Sequence, residues 1–120
     1  MTAMHRVALV AGIVLGCSDD ATGSSCGSGG TATAVNVCNN FFAPDASPIA
    51  AGASITWTWR GGDTHNVTFE DPGFTNSATK TSGTHAQQFA AAGTFRYRCT
   101  IHSSGFTPGA GQMVGSVTVQ

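Results

Sequence analysis

The chain is poor in charge. Only 9% of its 120 residues are Asp, Glu, Lys or Arg, with five basic residues against six acidic ones. There is no basic patch of the kind that tracks a phosphate backbone, which excludes nucleic acid as a partner. Long hydrophobic runs are missing too. The apolar stretch at 7–16 falls far short of a membrane-crossing helix, which needs about 20 apolar residues. The few carboxylates form no acid/base pair and no Ser/His/Asp constellation stands out, so an enzyme is not expected. No helical period of useful length runs through the sequence.

What is present begins with an export signal. His5 and Arg6 precede the apolar run, which closes on small residues, so 1–16 reads as a signal peptide. Cys17 follows Val14-Leu15-Gly16 directly, and this junction resembles a bacterial lipoprotein signal. The resemblance implies that Cys17 is lipidated as the first mature residue; the alternative is an ordinary secretory signal with an incidental Cys. Residues 17–30 are rich in Gly and Ser and read as a flexible tether. Ser18, rather than Asp, after the Cys points to the outer membrane in a host that has one. The expected location is exported, periplasmic or at the cell surface, and anchored to a membrane. Loss of Arg6 with the signal leaves four basic residues against six acidic ones, too small an imbalance for strong electrostatic steering.

Residues 31–120 carry short, β-branched, turn-punctuated runs, the pattern of one all-β sandwich. Val35 and Val37 share one face of a first strand, and Cys38 points to the other, outward. Residues 41–48 read as irregular. Ile55, Trp57 and Trp59 alternate with Ser54, Thr56 and Thr58 as a half-buried strand. Val67 with Phe69, residues 84–89, Phe95 with Tyr97, and Val117 with Val119 supply further strands. Residues 74–83 read as a polar loop with room for a short helix or turn. Trp57 and Trp59 read as core aromatics, and His85 as an ordinary polar strand residue.

Cys99-Thr-Ile-His102, with His65 before it and Met113 after it, is the soft, mixed donor set of a blue-copper site: a thiolate, two imidazoles and a thioether. Strand parity agrees. His65 has the parity of Val67 and Phe69, Cys99 that of Phe95 and Tyr97, and Met113 that of Val117 and Val119, so all three start from the core-facing side. A structural zinc site is disfavoured because it prefers several thiolates and only one is available. With Cys17 lipidated and Cys99 a ligand, Cys26 and Cys38 remain, with eleven residues between them in a compartment that permits disulfides. They are expected to pair, for about 2–3 kcal/mol on the chain-entropy model; the alternative is two free thiols.

Tyr97-Arg-Cys-Thr-Ile-His102 and Gly109-Ala-Gly-Gln-Met-Val-Gly-Ser-Val-Thr-Val119 resemble the metal loop and last strand of plastocyanin-type cupredoxins. Thr64-His-Asn-Val-Thr-Phe-Glu-Asp71 resembles their first-histidine strand, and Ala51-Gly-Ala-Ser-Ile-Thr-Trp57 the strand before it. The resemblance implies a Greek-key β-sandwich with one copper ion at one end, held by His65, Cys99 and His102 with Met113 as a weak axial ligand. It also implies that Asn66 braces the cysteine loop, and that a redox protein, a cytochrome or a copper enzyme, docks transiently near His102. Phe106 and Pro108 are candidates to extend that apolar docking patch. One departure stands out. Ten residues separate His102 from Met113, longer than the plastocyanin pattern, with the surplus near 103–108. That leaves Gln112 as an alternative axial ligand, or an open axial position. The expectation is a monomeric one-electron carrier cycling Cu(II)/Cu(I). The alternatives are a copper-binding chaperone that hands on Cu(I), and a metal-free interaction sandwich.

Overall fold

A computed structural model of the chain describes Cys26, Gly27 and residues 29–120. The expected signal peptide at 1–16, Cys17 and most of the expected tether lie outside the described residues. Eight strands form: β1 (Ala34–Cys38), β2 (Phe41–Ala43), β3 (Ala46–Ile49), β4 (Ser54–Trp59), β5 (Thr68–Phe69), β6 (Thr84–Gln88), β7 (Gly93–Arg98) and β8 (Val114–Val119). No helix forms among the described residues. One sheet runs in the order β2-β1-β4-β6 and the other β3-β8-β7-β5. The chain changes sheet at every step from β2 to β7, so the two sheets are built together, as a Greek-key sandwich requires.

Alternation along the strands decides the core. Ile55, Trp57 and Trp59 on β4 are buried, while the intervening Thr56 and Thr58 are only partly so. Val35 and Val37 from β1 join them from the same sheet; Phe69, Tyr97, Val117 and Val119 close the layer from the other. Trp57 lies at the centre, its ring 5.1 Å from Tyr97 and 5.6 Å from Phe69, both edge-on.

Three local expectations change. Residues 41–48, expected to be irregular, hold β2 and β3. β2 pairs antiparallel with β1, and β3 runs parallel to β8, an edge position where Pro48 is tolerated. The strand expected around Val67 shortens to Thr68–Phe69. The loop at 74–83 takes its place as partner: Val67 N–H donates to Ser77 Oγ at 2.8 Å and Phe69 N–H to Asn76 Oδ1 at 2.8 Å. Finally, Cys38 faces away from the main core as expected, yet it is buried. Cys26 covers it and is bonded to it, with a Cα–Cα distance of 5.8 Å, and Ala43 completes a small second cluster. Asn36 Nδ2 donates to the Cys26 carbonyl at 3.0 Å. The end of the expected tether, from Cys26, is therefore packed on the sandwich.

Candidate metal centre

Register brings the candidate ligands to one end of the second sheet. β7 lies between β5 and β8, and its last residue, Arg98, pairs with Thr68 on one side and Val114 on the other. Cys99 is the next residue after β7, Met113 immediately precedes β8, and His65 precedes β5. The ladder continues beyond the strands: Cys99 N–H donates to the Met113 carbonyl at 3.0 Å, and Met113 N–H to the His102 carbonyl at 3.1 Å. His102 N–H turns back to the Cys99 carbonyl at 3.2 Å, which makes the Cys99–His102 segment a tight turn. His65 is held by its backbone. It exchanges two hydrogen bonds with Lys80, each 3.0 Å, and its carbonyl also accepts from Trp59 Nε1 at 3.1 Å.

Three donor atoms converge. Cys99 Sγ lies 3.5 Å from His102 Nδ1 and 3.9 Å from His65 Nδ1, and the two Nδ1 atoms are 3.1 Å apart. A tetrahedral ion bound by imidazole at about 2.0 Å and by thiolate at about 2.3 Å requires nitrogens about 3.3 Å apart and N···S spacings of about 3.5 Å. The observed spacings fit such an ion. His65 and Cys99 are buried and His102 is partly exposed, so the trio is closed to the interior and open at one imidazole. Burial holds the His65 pKa below the ordinary histidine value. His102 pushes the same way and Asp63 opposes it. The shift favours the neutral imidazole, the state in which its nitrogen can act as a ligand.

Met113 is fully buried beside Cys99 in the core. Gln112 is only partly buried. Its Oε1 accepts from Ser104 N–H at 2.9 Å, closing the enlarged loop on itself. Asn66 is hydrogen-bonded to the cysteine loop. Thr100 N–H can only donate, so the Asn66 atom 3.0 Å away is the carbonyl oxygen, and its Nδ2 donates to Thr100 Oγ1 at 2.8 Å and Thr79 Oγ1 at 3.0 Å. The residue after Cys99 is thereby tied to the residue after His65. His85 lies elsewhere, bonded through Nε2 to the Thr75 carbonyl at 2.8 Å.

The surface around His102 departs from expectation. A shallow groove there is lined by Asn40, Ile101, Ser103, Ser104, Gly111 and Gln112. Its apolar part is Ile101, which is 51% exposed. Phe106 and Pro108 do not line it. Phe106 lies under the Arg98 guanidinium, 5.1 Å from it, and lines a separate groove with Pro108, Val114 and Asp45. Arg98 also donates to the Ser103 carbonyl at 2.9 Å. The same side chain therefore meets the inserted loop at two points, Ser103 and Phe106.

Sequence reasoning missed Asn39. Its side-chain oxygen lies 3.1 Å from His65 Nε2, although the two residues are 26 apart in sequence. An Asn beside a strand end reads as an ordinary turn residue, and no local pattern marks it otherwise.

No family model matches the chain. A plastocyanin from Scenedesmus fuscus is 31% identical over 90 residues, covering 66% of this chain and 86% of that protein. An oxidised amicyanin variant has the same fold with a TM-score of 0.60 at 23% identity, covering 74% of this chain and 82% of the other. For the purple cupredoxin from Nitrosopumilus maritimus the TM-score is 0.60 at 24% identity, over 73% and 99% of the two chains. An oxidised plastocyanin from Dryopteris crassirhizoma gives 0.59 at 22%, over 72% and 99%.

Proposed function

Since this chain belongs to the plastocyanin-type cupredoxins, whose members are electron carriers and not enzymes, we propose that it carries single electrons between redox proteins through one copper ion. The observation that carries this reading is the convergence of His65 Nδ1, Cys99 Sγ and His102 Nδ1 at metal-ligand spacing. When bound, copper supplies a Cu(II)/Cu(I) couple. His65, Cys99 and His102 would hold the ion of this type 1 site strongly, and Met113 would be its weak fourth ligand. The burial of Met113 and the engagement of the Gln112 side chain with Ser104 favour Met113 over Gln112. Buried His65 and Cys99 exclude water. Their backbone bonds to Lys80, Trp59 and Met113 hold them in one geometry, which keeps the cost of changing charge at the site low.

The partly exposed His102, beside Ile101, is the contact point for the partner, a cytochrome or copper enzyme that docks transiently. The carrier is monomeric and exported, and it is anchored through lipidated Cys17 to a membrane, the outer one where the host has two. The signal-like sequence before Cys17 and the disulfide support the export reading.

The test is a visible spectrum of the chain with one equivalent of Cu(II), beside Cys99→Ser. An intense thiolate-to-copper band, absent from the variant, is expected. A faint spectrum common to both would remove the type 1 site.

A further inference from the structure

The electronic state of His65 is set by which ring nitrogen carries its proton, and the structure holds a device for fixing it. Asn39 follows β1 directly, and its side-chain oxygen faces two groups. One is the Asp63 backbone N–H, at 3.1 Å, which can only donate. The atom facing it is therefore the amide oxygen and not the nitrogen. The same oxygen lies 3.1 Å from His65 Nε2. An oxygen already accepting from Asp63 can only accept again, so Nε2 carries the proton and Nδ1 keeps its lone pair. Nδ1 is the atom facing Cys99 and His102.

The amide is seated by close packing. A Cβ on Gly61 would fall 2.2 Å from the Asn39 oxygen and 2.6 Å from its backbone nitrogen, so only glycine admits it. Gly61 is itself fixed by its N–H to the Val37 carbonyl at 3.2 Å.

We infer that Asn39 is a positioning residue: its side-chain oxygen holds the His65 proton on Nε2, aims Nδ1 at the metal and tunes the donor strength of the imidazole. A hydrogen-bond partner on the far nitrogen of a metal-bound histidine fixes ring orientation and raises ligand basicity. The role assigned to His65 rests on the copper reading above, but the Nε2 proton belongs to the chain with or without metal.

The experiment uses the full chain and two readouts. Long-range proton–nitrogen NMR without added metal reads the His65 ring. A slowly exchanging Nε2–H is expected in the parent and its loss to fast exchange in Asn39→Ala; an equally protected Nε2–H in Asn39→Ala overturns the inference. The second readout uses the copper-loaded protein. Asn39→Ala is expected to weaken Cu(II) affinity about tenfold to a hundredfold. Asn39→Asp, which keeps an acceptor and adds charge, is expected to lower the reduction potential by strengthening the imidazole donor. A folded Asn39→Asp protein with an unchanged potential overturns the tuning role, and it carries the test if Asn39→Ala does not fold. A protected Nε2–H without any blue band would sink the copper reading and leave the proton assignment standing.

Discussion

At the residue scale, the site divides labour between groups that can touch a metal and groups that hold them. Cys99, His65 and His102 were legible because thiolate and imidazole are chemically conspicuous. Asn66 was legible because it adjoins His65. Asn39 was not, because its role depends on a hydrogen bond across 26 residues of sequence. Between Met113 and Gln112 the sequence left a choice that burial informs. Met113 lies in the core, whereas Gln112 is at the surface, bonded to Ser104. Met113→Gln is expected to lower the reduction potential, because a carbonyl oxygen stabilises Cu(II) where a thioether favours Cu(I). Gln112→Ala is expected to leave the potential and the visible spectrum unchanged. Protein-film voltammetry of the two variants checks both outcomes, and the opposite ranking would transfer the axial role to Gln112.

At the element scale, β7 and β8 matter most, because their shared register sets the separation of Cys99 from Met113. Parity correctly placed Tyr97, Val117 and Val119 on the inner face, since strands alternate strictly. It did not reveal the close approach at Gly115, which is opposite Tyr97 in the ladder. A Cβ there would stand 2.3 Å from the Tyr97 ring and 2.4 Å from its hydroxyl. Gly115→Ala is expected to destabilise the fold by about 1–3 kcal/mol through overpacking, a loss that urea unfolding measures. An unchanged midpoint would mean that Tyr97 can repack without disturbing the pair. The short β2 and β3 escaped sequence reasoning because their burial comes from neighbours: β2 from β1 and β3 from β8, both pairings beyond the reach of local periodicity.

At the scale of the whole molecule, the sandwich presents His102 at one end, and the chain leading to Cys17 departs from the segment bonded at Cys38. A lipid-anchored carrier predicts that Cys17→Ser shifts the protein from the membrane fraction to the soluble one while the copper band persists. Fractionation with immunodetection reads this directly, and retention of the variant on membranes would remove the anchor. The sequence by itself determined the fold class and pointed to the donor chemistry, because alternating β-branched runs and a Cys-x-x-His pair with a histidine upstream are local facts of composition and spacing. Only the tertiary structure decided that Cys26 and Cys38 meet, that Arg98 meets the inserted loop at Ser103 and Phe106, and that Asn39 caps His65. The reason is physical. Each of these depends on atoms brought together by sheet pairing or loop docking, and their distances follow from packing that no single segment encodes.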